Sequence, residues 1–148
     1  MEAKRATILL VEDDPNDVLL IQRAFERANI ANPISVVRGG EDAIAYLEGT
    51  GNYADRDAHP FPVVMLLDLK LPRKSGLEVL EWLKSKDILK RLPVVILSSS
   101  TESTDVDRAY DLGVNSYLVK PVTFDALIEI VKNAGLYWVI MNEKPDLS

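Results

Sequence analysis

The chain has no cysteine and a single histidine, His59. Disulfides and thiolate metal sites are therefore excluded, which is compatible with a reducing compartment. No second imidazole stands near His59 to complete a metal site, so it is read as a solvent-facing loop residue without assigned chemistry. Basic residues are in deficit: 17 Lys and Arg face 23 Asp and Glu, for a net charge of -6. Non-specific affinity for a polyanion rests on Lys and Arg neutralising phosphates, so nucleic acid is not an expected partner. Long apolar runs are missing too. Met1 to Thr7 leads into the run Ile8-Leu9-Leu10-Val11, far too short for a signal peptide or a membrane span. A soluble, cytoplasmic protein with no membrane partner is expected. No GxxxxGK[ST] segment is present, so a phosphate-binding P-loop is absent, and neither internal repeats nor low-complexity tracts occur.

What the chain does have is 148 residues with 47% hydrophobic content, enough for one well-formed core and no second output domain. Strand-like runs near 7–11, 34–38, 63–67, 93–97 and 115–119 alternate with helical patterns near 15–29, 40–48, 75–86, 102–112 and 123–141. Such alternation predicts an α/β fold, a doubly wound parallel sheet covered on both faces. The first, third and fourth runs are almost wholly apolar, as strands buried on both faces should be. Ile34-Ser35-Val36-Val37-Arg38 is more polar and is placed at a sheet edge. Asp14-Pro15 and Thr123 read as helix starts, and Ser75-Gly76-Leu77-Glu78 as a capping box. Residues 48–62, broken by Gly49, Gly51, Pro60 and Pro62, read as a long exposed loop.

The ends of the apolar runs carry the chemistry. Asp68 directly follows Val63-Val64-Met65-Leu66-Leu67, Glu12 and Asp13 follow the first run, Ser98 follows Val94-Val95-Ile96-Leu97, and Lys120 follows Tyr117-Leu118-Val119 and precedes Pro121. Ligand chemistry in a doubly wound sheet sits outside the carboxyl ends of the strands, so these signals converge. Taken alone, Asp68 would cap a turn, Lys120 would be a surface lysine and Ser98 part of a polar loop. Together they are harder to dismiss, because carboxylates at adjacent strand ends repel unless a cation or a lysine lies between them. Lys120-Pro121 at a strand end is also more particular than a lone lysine, since the peptide before proline is at times cis. Asp14 and Asp17 are assigned to capping and to favourable charge at the first helix's N-terminus, outside the site.

Hard oxygens suit Mg2+. Asp13 and Asp68 can ligate it, Glu12 can hold a coordinated water, and the Lys70 backbone carbonyl can supply another oxygen; Mn2+ would fit the same donors. Asp68 can then act as nucleophile toward phosphorus while the metal and Lys120 neutralise the developing charge, giving an aspartyl phosphate. Ser98 would hydrogen-bond the phosphoryl group. Tyr117, three residues before Lys120, faces the opposite way and would swing inward as Ser98 is drawn to the phosphate.

The segments Val11-Glu12-Asp13-Asp14, Leu67-Asp68-Leu69-Lys70-Leu71-Pro72, Ile96-Leu97-Ser98-Ser99 and Tyr117-Leu118-Val119-Lys120-Pro121 resemble the receiver domain of two-component response regulators. The resemblance covers residues 7 to about 134, with 135–148 as an extension of the last helix and a tail. It implies a flavodoxin-like receiver fold of five strands in the order 2-1-3-4-5. It also implies an acidic pair at Glu12 and Asp13, a phosphoacceptor at Asp68, a hydroxyl at Ser98, a phosphate-binding Lys120 with Pro121 behind it, and an aromatic switch at Tyr117. The long loop before residue 63 departs from the usual spacing. More narrowly, the Glu12-Asp13-Asp14-Pro15-Asn16-Asp17 start, that loop and Asn115-Ser116-Tyr117 are similar to stand-alone regulators of phytochrome-type kinases. A sensor histidine kinase, with a phytochrome as one candidate, is the implied partner, and a switch rather than an enzyme the implied role.

A phosphatase of haloacid-dehalogenase type would want a second acid two residues after the nucleophile, where Lys70 stands. A flavodoxin-type flavin site would need a neutral phosphate loop where Glu12-Asp13-Asp14 stand. Leu127, Ile130, Val131, Ala134, Trp138 and Met141 recur at helical spacing, while Leu136, Tyr137, Val139 and Ile140 add apolar surface beyond the receiver core. Such a patch marks an interface, so a homodimer through the last helix is expected, with Tyr137, Trp138, Val139 and Ile140 in contact. The alternative is that the tail folds back on its own core.

Overall fold

In the computed structural model, which describes residues 6–99 and 103–133, the five apolar runs pair in parallel in the order β2-β1-β3-β4-β5. The strands are β1 (Ile8–Val11), β2 (Ile34–Val37), β3 (Val64–Asp68), β4 (Val94–Ser98) and β5 (Ser116–Val119), and they alternate with α1 (Pro15–Arg27), α2 (Gly40–Glu48), α3 (Gly76–Lys84), α4 (Ser103–Asp111) and α5 (Phe124–Asn133). This is the expected doubly wound receiver fold. Every residue of β1, β3 and β4 is buried, whereas β2, at the edge, is mostly half-buried. The composition of each run thus reports its position in the sheet, since only a strand covered on both faces can be apolar throughout.

Alternation along the strands divides the core. Ile8, Leu10, Val64, Leu66, Val95, Leu97 and Leu118 pack with Ile21, Ala24 and Phe25 of α1 and Leu127 of α5. Leu9, Val11, Met65, Leu67, Val94 and Ile96 pack with α2, α3 and Ala109 of α4 on the other side. Each fully buried Leu or Ile adds about 1.5–3 kcal/mol relative to exposure. Arg27 stacks 4.8 Å from the Phe124 ring, joining α1 to α5.

The helix starts are built from the expected residues. The Asp14 carboxylate accepts from the Asn16 amide with Pro15 in the first turn. Ser75 and Glu78 form a reciprocal capping box at 3.2 and 2.8 Å, and Thr123 accepts from the Ala126 amide. The strands are shifted by one residue at one or both ends from the expected ranges, and two of these shifts bear on the site. Asp68 and Ser98 are the last residues of β3 and β4, paired in register with Leu97 and Val119, so the sheet itself holds both side chains. The first helix ends at Arg27, two residues early, and Asn29 turns the chain with φ 60°.

The segment 48–62 is the expected long loop, exposed over most of its length, and parts of it are tied down. It opens with Gly49 in the left-handed region, φ 71°, and a short 3₁₀ turn at Gly51–Tyr53. The Arg56 guanidinium then reaches back to the end of α2, donating to the carbonyls of Tyr46 at 2.7 Å and Leu47 at 2.8 Å, and to that of His59. Carbonyls in the last turn of a helix run short of intrahelical amides, and Arg56 adds donors there beside the Gly49 amide, which also reaches the Tyr46 carbonyl at 3.2 Å. His59 is half-buried, not solvent-facing, with its ring edge-on to Tyr46 and Tyr53. The Tyr46 hydroxyl donates to the Pro60 carbonyl and lies 3.2 Å from Ser35 on β2.

Tyr137, Trp138, Val139 and Ile140, the expected dimer contacts, lie outside the described residues. Among the described residues no helix is long and apolar enough to cross a membrane.

Charge-assisted hydrogen bonds are each worth about 1.5–3 kcal/mol. Arg56→Ala is therefore expected to lower the unfolding free energy by about 2 kcal/mol in urea, with Arg56→Lys restoring less than half because an ammonium cannot reproduce the planar fork. A loss below about 0.5 kcal/mol, the ordinary range for a surface substitution, would show that the loop does not depend on this residue.

Candidate functional site

Strand parity puts three charged groups in one place. Glu12 follows Val11, Asp68 ends β3 and Lys120 follows β5, and all three fall on the side of the sheet occupied by α1 and α5. There the Lys120 ammonium lies 2.8 Å from Glu12 Oε1, 3.1 Å from Asp68 Oδ2 and 3.1 Å from Asp17 Oδ2. Asp68 is held at both ends: Oδ2 accepts from Lys120, and Oδ1 accepts from the Lys70 amide at 3.1 Å. Glu12 Oε2 accepts from the Asp14 amide at 3.1 Å. Glu12 and Asp68 are both buried.

Asp13 is exposed in the turn between β1 and α1 and is not one of the three carboxylates on Lys120. Ser98 is buried at the end of β4, and its carbonyl accepts from the Lys120 amide at 2.8 Å. It shares strand parity with Ile96, whose partner across the ladder is Tyr117. Ser98 and Tyr117 therefore belong to the α2–α4 side, where Tyr117 packs half-buried against the core. The Lys120-Pro121 peptide is cis.

Electrostatics follow from one ammonium serving three acids. Burial alone would pull the Lys120 pKa down, but hydrogen bonding to Glu12 and Asp68, the field of Asp68 and the contact with Asp17 together push it well above the ordinary lysine value. Glu12 moves up as well: burial raises it, and the field of Asp68 adds to that, against the lowering by Lys120 and the Asp14 amide. The two directions are compatible, because Lys120 has three acids to itself while Glu12 has only a share of one cation.

Two contributors lie outside the set that the sequence singles out. Asp17, assigned from sequence to the helix terminus, reaches Lys120. The signal that points to it is helical spacing, since Asp17 lies on the same face of α1 as the buried Ile21, Ala24 and Phe25. Gly76 is the other. It begins α3 directly against the strand end, where a Cβ would lie 2.1 Å from the Asp68 carbonyl oxygen and 2.7 Å from the Leu69 Cα. The loop between them also carries Arg73 at φ 63°, ion-paired with Glu41 on α2.

The donor set fits a hard divalent cation. Carboxylates outnumber the single ammonium, and Asp13 adds another at the rim. Among the described residues no ready-made cage of three or more metal-ligating side chains exists. Mg2+ does not ask for one, since it keeps several waters and takes one or two carboxylates with phosphate oxygens.

Residues 8–132 match the response regulator receiver domain family. The chain belongs to that family. It is 42% identical over 141 residues to the probable methanogenesis regulatory protein FilR2 of Methanothrix harundinacea, covering 93% of this chain and 86% of that protein. It is 39% identical over 132 residues to the response regulator Rcp1 of Synechocystis, covering 89% and 88%. Among solved structures, the bacteriophytochrome response regulator AtBRR matches with TM-score 0.82 and 45% identity over 92% of this chain and 96% of that one. The Mn2+-bound form of Rcp1 matches with TM-score 0.76 and 37% identity over 95% and 99%. Receivers are phosphorylated on an aspartate, use Mg2+ or Mn2+, take their phosphoryl group from a histidine kinase and act as signal transducers.

The raised Glu12 pKa has a stability consequence. A carboxyl group whose folded pKa lies above its unfolded value contributes stability that is present below the unfolded value and is lost as pH rises through the folded one. Relative to wild type, Glu12→Gln is therefore expected to gain stability as pH rises from about 4.3 toward neutrality, measured by urea unfolding across that range. A difference that stays constant with pH, or moves in favour of wild type, would contradict the upward shift.

Proposed function

We propose that Asp68 is the phosphoacceptor, taking its phosphoryl group from the phosphohistidine of a phytochrome-type sensor kinase in the cytoplasm. The observation that carries this reading is the pinning of one buried carboxylate between the Lys70 amide and the Lys120 ammonium at the open end of the central strand. Such a carboxylate is oriented before any donor arrives, so little reorganisation is left for the reaction.

In the transfer, an Asp68 carboxylate oxygen attacks phosphorus, the bond from phosphorus to the imidazole nitrogen breaks, and its electron pair returns to the imidazole. The product is an acyl phosphate on Asp68. Asp13, Asp68 and the Lys70 carbonyl would hold a divalent cation, with Glu12 taking a coordinated water, and the cation would supply charge neutralisation. Lys120 is permanently charged in this setting and donates to a phosphoryl oxygen. Ser98 donates to another through its hydroxyl. Tyr117, on the same side of the sheet as Ser98, turns inward as Ser98 moves, which carries the event to the surface around β5. The phytochrome assignment is supported by the likeness to AtBRR, described as a bacteriophytochrome response regulator.

Intact mass after incubation with Mg2+ and a small-molecule phosphodonor tests the acceptor. Wild type should gain one base-labile phosphoryl group and Asp68→Asn none; an adduct of equal extent on Asp68→Asn would sink the assignment. For the partner, a bacteriophytochrome kinase carrying radiolabelled phosphohistidine should transfer its label at least about tenfold faster than an unrelated sensor kinase, a specificity of about 1.4 kcal/mol. Equal rates would remove the phytochrome link.

A further inference from the structure

An ammonium has three protons, and Lys120 has three carboxylate oxygens within 3.1 Å. Of these, the contact to Asp68 has hydrogen-bond geometry, and Glu12 and Asp17 share the rest of the ammonium's charge. If Asp68 carries the phosphoryl group, the reading on which this inference rests, then that group must compete with Glu12 and Asp17 for Lys120.

The partners are not equally easy to release. The side chain of Glu12 is 1% exposed, so it depends on the ammonium for compensation. Asp17 is 23% exposed, and water can replace Lys120 at its carboxylate. It also sits in the first turn of α1, where the helix dipole favours a negative charge whether or not a lysine is near. Glu12 and Asp68 stand at the ends of sheet strands, while Asp17 alone approaches from a helix. Asp17 is the partner that leaves.

The change in charge gives the direction. Phosphorylation removes the single negative charge of the Asp68 carboxylate and adds a phosphoryl group carrying about two, so the pocket becomes more negative by about one. A carboxylate at Asp17 opposes that change twice, by repelling the phosphoryl group and by competing for the ammonium. We propose that Asp17 is a positioning residue that competes with the phosphoryl group for Lys120, holding the ammonium in its resting place and setting how readily Asp68 accepts and keeps a phosphoryl-like anion.

The test is the affinity for beryllofluoride, which binds an aspartate carboxylate in the place of a phosphoryl group. It is measured by ¹⁹F NMR titration of the full chain at Mg2+ concentrations shown to saturate each variant. Asp17→Asn keeps the shape and removes the charge; it should bind beryllofluoride about tenfold more tightly than wild type, the scale of one charge pair a few ångströms apart in a partly solvated site. Asp17→Glu keeps the charge and should stay within about twofold of wild type. A merely structural role predicts the opposite, since a damaged pocket binds more weakly. Unchanged or weaker binding by Asp17→Asn overturns the proposal, as does tightening by Asp17→Glu equal to that of Asp17→Asn. A wild type that fails to bind beryllofluoride at all overturns both this proposal and the assignment of Asp68, whereas binding by wild type and not by Asp68→Asn leaves that assignment standing whatever Asp17 does.

Discussion

One cation shared by three carboxylates is the constraint around which the open end of this sheet is built. Glu12 and Asp68 are buried acids at neighbouring strand ends, an arrangement that repels itself. Lys120 removes the conflict by reaching across from the end of β5, with β3 and β4 between that strand and β1 in the sheet order. Buried ion pairs of this kind add little net stability, since desolvation consumes most of the Coulombic gain. Their retention here is better understood as function. The upward shift of Glu12 is the sign of that cost.

The rest of the fold serves to place these charges. Apolar strands buried on both faces make a rigid floor, and the backbone of that floor, not a mobile loop, carries Asp68 and Ser98. Gly76 lets α3 begin against the carbonyl of Asp68, so the helix closes over the strand end without a side chain in between. Lys120 is tied by its own amide to the Ser98 carbonyl. Lys120 and the strand that carries Ser98 are thereby one hydrogen bond apart. Far from the site, Arg56 and the Tyr46–Tyr53–His59 cluster tie the long, largely exposed connection before β3 to α2.

Much of this is legible in the order of residues because it depends on local patterns. Short apolar runs and period-3.6 hydrophobicity locate all five strands and all five helices. The caps at Asp14, Ser75 and Thr123 can be read because a cap bonds to amides two or three residues away. The acidic pair, Asp68, Ser98 and Lys120 can be read because each stands at or just past the end of an apolar run, and parallel strands bring such ends to one rim. Asp17 escapes for an instructive reason: its local role at the helix terminus is sufficient to explain it, and nothing nearby in sequence reveals a lysine more than a hundred residues away. His59 and Arg56 escape because loops advertise their breakers, Gly and Pro, and not the side chains that tie them down.

Residue order alone settles the alternation of strands and helices, the edge position of β2 and the set of polar groups available at the carboxyl ends, since all of these follow from side-chain polarity at fixed local periods. How those groups share their charges is settled in three dimensions. The packed fold selects Asp17 over Asp13 as the third carboxylate on Lys120, turns the Lys70 amide onto Asp68, and ties the exposed loop to the end of α2 through Arg56. Electrostatic interactions and hydrogen bonds act through space, over a few ångströms, and the chain brings residues into that range only after the sheet has closed.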